Sequence, residues 1–325
     1  MQKTFKNIFA PLLAITLVTL GNAFFISFSS LRIHDIGFGG WVVGLVQSSY
    51  YLGMLIGASK AEGIIKSVGH IRAYLAYAGI GIATIMIQGI MPSPYVWVCI
   101  RIIMGFCVAV HYIVVESWFL SEASVKTRGV ILAVYMITLY LSQSLSQFFL
   151  NFIDLQSAEP FLFSALLASI SAIPLALTKA PAPKLHEVTG YSLKKLFKKS
   201  CLGFLGCLIS GGILSSIYSF GPLFAKAHNL SAGAVMGICI LGGVVLQWPV
   251  GKLSDIFDRR RVLFCVTLAT AVQSILIIVI NPESNWLVYA FIFLLGGLVF
   301  TMYPLSMAYR PIAAAVGLAT EGAAV

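Results

Sequence analysis

Ten stretches of roughly twenty residues with very few charges constrain this chain more than any other feature. They run over about 10–31, 41–59, 72–91, 95–119, 129–152, 161–178, 201–225, 233–251, 262–280 and 286–309. A hydrocarbon slab about 30 Å thick takes about 20 apolar residues to cross as a helix. No water reaches the peptide groups there, so each run must satisfy its own N–H and C=O groups, which a helix does. Hydrophobic residues make up 59% of the chain and charged ones 10%, more apolar side chain than one soluble core can use. The chain therefore reads as an all-α membrane protein embedded in the lipid bilayer. The breaks carry turn chemistry: Pro92-Ser93-Pro94, Asn281 to Asn285, and Asp35 to Gly40.

Loop charges give an orientation. With the N-terminus cytoplasmic, 18 of the 21 basic residues fall inside; Arg32 and Lys226 fall outside and Arg101 lies in a span. The net charge of +10 sits in short loops beside spans, which argues against nucleic acid as a partner. Residues 179–200 form a polar linker with Pro181, Pro183 and six lysines. Its Tyr191 to Lys199 stretch reads either as a surface helix with one basic face or as a solvated linker. The six cysteines lie in or beside apolar runs without C-x-x-C spacing, so neither a zinc site nor a disulfide framework is expected. Lys3 and Lys6 precede a run too long for a signal peptide, which reads as a retained first helix.

Between two of the apolar runs lies a dense charged turn, Gly251 to Arg261. A second such turn, Glu62 to Arg72, carries Lys66, Gly69, His70 and Arg72. Aligning Gly69-His70-Ile71-Arg72 with Asp258-Arg259-Arg260-Arg261 offsets the copies by 189 residues, the length of six membrane helices with short loops. Two related halves follow, each with a charged turn after its second helix.

This organisation resembles the major facilitator superfamily. Gly251-x-Leu253-Ser254-Asp255-x-x-x-Arg259-Arg260 is similar to that family's signature loop, with Asp258 where a second glycine is common. The first copy departs from it, with Lys66 in the aspartate position and Glu62 in that of the first glycine. Val68 to Ala73, Glu116-Ser117-Trp118 and Arg128-Gly129 resemble the YcaD-like branch, and Arg101-x-x-x-Gly105 resembles another superfamily pattern. The resemblance covers about residues 5–309 and implies a bundle of two six-helix repeats, here with about ten helices. It assigns 1–178 to an N-terminal six-helix half, 179–200 to a cytoplasmic basic linker, 201–309 to an incomplete C-terminal half and 310–325 to an atypical tail. Measured against the family's twelve helices, the expectation is a chain truncated or frame-shifted after about Tyr309, or a ten-helix variant. The function implied is a monomeric secondary transporter of the bacterial inner membrane, moving a small-molecule substrate by alternating access with H⁺ as coupling ion. The alternatives are a non-transporting remnant or membrane sensor on the same scaffold, and a channel.

Several polar residues fall inside spans, where a charged group costs about 2.5–3.5 kcal/mol on insertion scales. Arg101 and Glu116 share the fourth helix within about 60° of one face but about 22 Å apart, so their partners must come from other helices. Arg101 reads as an anion or coupling site, or as a structural arginine holding carbonyls. Glu116 reads as a coupling carboxylate or as a gate group paired with Arg128. His111 reads as a proton shuttle or as an interhelical hydrogen-bonding group. The fifth helix is loaded with polar residues, among them Tyr140, Gln143 and Gln147, and with Asn22, Gln47 and Tyr303 these are the candidate lining of a water-filled pathway. The competing reading is that they pin helices together. Gly251, Asp255, Arg259, Arg260, Gly69, Arg72 and Arg128 form the candidate cytoplasmic gate, with Asp255 expected near Arg128 or the start of the fifth helix. No phosphate-binding glycine loop, metal-ligand cluster or nucleophile triad is present, so no cofactor and no enzymatic activity are expected.

Overall fold

The computed structural model describes residues 2–122, 128–178, 197–198, 200–280 and 285–307. Among these there is no strand. The long helices are α1 (Gln2–Asp35), α2 (Gly40–Val68), α3 (His70–Ile90), α4 (Pro94–Glu122), α5 (Arg128–Phe148) and α6 (Glu159–Ala176), followed by α7 (Cys201–Ala227), α8 (Ala232–Ile256), α9 (Arg259–Ile280) and α10 (Asn285–Met307). A 3-10 turn, Phe149–Asn151, extends α5. Among the described residues, nine helices are long and apolar enough to cross a membrane.

The charged turns show how the chain reverses. Gly69 ends α2 with φ +88°, a conformation that a β-carbon disfavours, and its N–H bonds the Ile65 carbonyl. In the second copy Asp258 stands in its place and caps α9, its carboxylate accepting the Arg260 N–H at 2.8 Å. One turn thus uses glycine's freedom and the other an aspartate cap.

The helices gather into two compact units. The first holds α1 to α6 together with Tyr218–Ala234; the second holds the rest of α7 and α8 with α9 and α10. In the first unit α2 packs on α4, α1 on α5 and α6, and α3 on α4 and α6. The α2–α4 crossing is a backbone contact: a β-carbon on Gly53 would stand 2.0 Å from the Ile102 carbonyl oxygen, and one on Gly105 2.0 Å from that of Tyr50. Small residues let membrane helices approach this closely, where dispersion and not hydrophobic burial holds them. An aromatic cluster fills the space beside it, with Phe28 and Phe161 5.0 Å apart and Phe24 and Phe163 5.1 Å apart.

In the second unit α8 meets α10 in the same way. A β-carbon on Gly242 would lie 2.0 Å from the Phe293 oxygen, and one on Gly296 1.9 Å from that of Cys239. Gly53 with Gly242, and Tyr50 with Cys239, are each 189 residues apart, the spacing of the two charged turns.

Candidate functional site

Arg101 lies in the interior of the first unit, 0% exposed. Its Nη2 donates to the Ser29 hydroxyl and to the Phe25 carbonyl at 3.4 Å, and the guanidinium carbon lies 4.9 Å from the Phe25 ring and 5.9 Å from that of Tyr50. Among the described residues no carboxylate forms an ion pair with it. Ring faces and neutral oxygens of α1 and α2 therefore solvate this cation. Gln47 converges on the same point: its Nε2 donates to Ile26 O at 2.9 Å, Ser29 Oγ at 3.0 Å and Ser30 Oγ at 2.7 Å. Ser29 Oγ donates in turn to Ile26 O at 2.8 Å, so its one proton and both lone pairs are used. About two helical turns before Ser29, Asn22 Nδ2 donates to the Tyr50 hydroxyl at 2.9 Å.

The polar residues of α5 divide. Gln147 is 0% exposed, with its Oε1 accepting Ser27 Oγ at 2.6 Å and its Nε2 donating to Ser146 Oγ at 3.0 Å and Gln143 O at 3.3 Å. Gln143 is half-buried, and its Oε1 accepts the Tyr218 hydroxyl. Tyr140 is half-buried as well. The geometry thus joins Arg101, Gln47 and Asn22 along α1, ties Gln147 to α1 and turns Gln143 toward Tyr218. His111 stands apart, its Nε2 3.2 Å from the Tyr74 carbonyl and its ring 4.4 Å from the Tyr74 ring. Glu116 is exposed and forms no ion pair among the described residues. Tyr303 lies in the second unit, 41% exposed.

In the charged turns, Asp255 pairs with Arg259 along α8–α9 at 3.4 Å, and Lys66 pairs with Glu62 at 2.7 Å, both four residues apart. Gly251, Ser254, Asp255 and Arg259 line a cavity of about 270 Å³ in the second unit with Thr301 and Pro304. Arg260 and Arg72 are exposed. Arg128 opens α5, but its side chain lies outside the described residues, and with it the expected contact to Asp255. No cluster able to hold a metal ion occurs among the described residues.

One group escaped the sequence reading. Asp35, at the end of α1, accepts Lys226 Nζ on one carboxylate oxygen and Gln156 Nε2 on the other at 2.8 Å, while Arg32 donates to Gln156 Oε1 at 2.8 Å. Nearby Ser231 Oγ donates to Asn151 Oδ1 at 2.7 Å, and Gly233 presses on the Gln147 carbonyl, which a β-carbon would meet at 2.5 Å. All of these lie in the first unit, where Tyr218–Ala234 packs beside the ends of α1 and α5. The signal in the sequence was slight: Asp35 and Lys226 are isolated charges at what the loop pattern makes the same membrane face.

Against the Major Facilitator Superfamily model the chain matches over residues 12–320. It belongs to that superfamily. An Escherichia coli relative, described as the uncharacterized MFS-type transporter YcaD, is 32% identical over 276 residues, covering 83% of this chain and 70% of the relative. Among solved structures, a mutant of the nucleoside transporter NupG superposes with a TM-score of 0.75 at 13% identity, over 96% of this chain and 86% of NupG. A D-xylose–proton symporter superposes with a TM-score of 0.65 at 14% identity, over 95% and 81% of the two chains. At such identities these structures attest the fold alone. The superfamily match and the YcaD relative make this chain a membrane protein of a transporter family, not an enzyme.

Proposed function

We propose that this chain is a secondary transporter of the bacterial inner membrane, with its N-terminus cytoplasmic, that moves a small polar solute by alternating access coupled to protons. One observation carries the reading: the tie between Asp35 and Lys226, with Gln156, Asn151 and Ser231 around it. It is polar, partly solvated and set where α1 ends, which suits a contact that must break and reform in every cycle. A permanent helix contact is built otherwise, as the glycine crossing of α2 and α4 is. In this reading the tie closes the outer side. Gln143 and Tyr140, half-buried on α5, are the groups offered to a solute by hydrogen bonding, while Gln47, Gln147 and Arg101 hold α1 in place. The names of the two structural neighbours, a nucleoside and a D-xylose transporter, fit a hydrogen-bonding solute. Glu116 is the carboxylate assigned to coupling and Asp255 the one assigned to the inner gate.

The test is a disulfide lock. In a background without native cysteines, Asp35→Cys with Lys226→Cys is oxidised in proteoliposomes carrying solutes chosen from a metabolite screen of a deletion strain. Transport that stops on oxidation, returns on reduction and collapses when the proton gradient is dissipated supports the proposal. Transport indifferent to the lock refutes the gate; no solute moved in either direction refutes the transporter.

A further inference from the structure

A second small cavity, of about 30 Å³, lies inside the first unit, bordered by α1, α3, α4 and α6. Most of its wall is apolar, yet three of its lining residues carry buried polar atoms with no partner among the protein groups: His111 Nδ1, Ser164 Oγ and Asn22 Oδ1. His111 is 2% exposed and Ser164 1%. A buried polar atom left unpaired costs about 1–3 kcal/mol, and here three of them surround one cavity.

The chemistry of the three atoms is complementary. His111 Nε2 faces a backbone carbonyl, which has no proton to give, so Nε2 carries the hydrogen. Nδ1 of the neutral ring is then a bare lone pair that needs a donor. Asn22 gives its amide nitrogen to Tyr50, so its Oδ1 also needs a donor. The Ser164 hydroxyl has a proton to give. One molecule with two protons and a lone pair answers all three, and a space that admits a water needs about 10–15 Å³.

We propose that this cavity is a hydration site holding one or two structural water molecules, which donate to His111 Nδ1 and Asn22 Oδ1 and accept from Ser164. His111 is thereby a positioning residue inside the helix bundle, tying α4 to α3 through Tyr74 and to α1 through water. The water also extends the polar seam of α1, since Asn22 leads to Tyr50 and Tyr50 to the face of Arg101.

Hydroxyl-radical footprinting by X-ray radiolysis, read by mass spectrometry on the intact protein in nanodiscs, tests this directly. Radicals form from water in place, and two oxidisable side chains, Met104 and Cys107, line the cavity. Met236 and Cys239 are equally buried in the second unit and serve as internal controls. The expected result is oxidation of Met104 and Cys107 several-fold faster than of the controls. Gly81→Ala should abolish the difference, because its methyl enters the cavity and meets nothing closer than Cys107 Cβ at 3.9 Å. Equal rates in the native protein overturn the proposal by showing a dry cavity. Fast labelling that persists in Gly81→Ala overturns it too, by placing the water elsewhere.

Discussion

Replacing Gly53 by alanine places a methyl carbon 2.0 Å from the Ile102 carbonyl oxygen, where ordinary contact begins at 3.4 Å. The obstacle is backbone, so no rotamer can yield, and α2 must part from α4 locally by about 1.4 Å. A gap of about 0.5–1 Å already forfeits roughly a quarter to a half of a contact's dispersion energy, so most of the attraction at this crossing is lost. Overpacking of this kind costs about 1–3 kcal/mol. The upper end applies, since Tyr50 on α2 also carries the bond to Asn22 and faces Arg101. The apparent melting temperature in detergent, followed by intrinsic fluorescence, should fall by about 5–10 °C. Gly242→Ala should match it, its methyl meeting the Phe293 oxygen at 2.0 Å. Gly63→Ala on the open surface of α2 has nothing within 4 Å and should leave the transition unmoved or slightly raised. If Gly53→Ala melts together with Gly63→Ala, the two helices do not touch through their backbones and the repeated crossing is not what sets their spacing.

Three further perturbations follow. Asp35→Asn should loosen the tie by about 0.5–1 kcal/mol, so that a Ser27→Cys reporter in a cysteine-free background reacts about 2- to 5-fold faster with an impermeant maleimide applied from outside; an unchanged rate refutes the tie as a gate. At Arg101 the lysine variant should be less stable than the methionine variant, because Arg101→Lys keeps a buried charge while losing the planar fork that reaches Ser29 and Phe25, and Arg101→Met removes the charge altogether. Thermal unfolding in the reverse order would show that the charge itself is needed there. Gln47→Glu should destabilise more than Gln47→Leu, since it turns a carboxylate toward the three oxygens that now accept from Nε2, and equal melting curves would refute that geometry.

The ten helices were legible because a bilayer enforces one length, and the Gly69 turn because few residues but glycine adopt φ +88°. The helices nevertheless outrun their apolar stretches. α1 spans Gln2–Asp35 where hydropathy marks about 10–31, since a helix stops at its turn and not at the membrane surface. Partnership was not legible. Nothing within α5 says that Gln147 meets Ser27 while Gln143, one turn back, meets Tyr218; that depends on which helix lies alongside. For Arg101 the sequence left an anion site and a structural role open, and the partners found on α1 and α2 are all neutral. The dense charge of Gly251 to Arg261 marked a turn correctly, yet the partner described for Asp255 is its own neighbour Arg259.

The paired glycine crossings also act as a ruler across the two copies. From Gly53 to the carbonyl it meets at Ile102 is 49 residues; from Gly242 to that of Phe293 is 51. One copy has gained or lost two residues in this interval since they diverged, while the point where backbone meets backbone kept its register. The charged turns keep the 189-residue spacing, so the change must have been absorbed after them, in the third helix of the copy or in the turn that follows it. Homologous chains should vary in length there, and a drift of even one residue at the crossings themselves should be excluded.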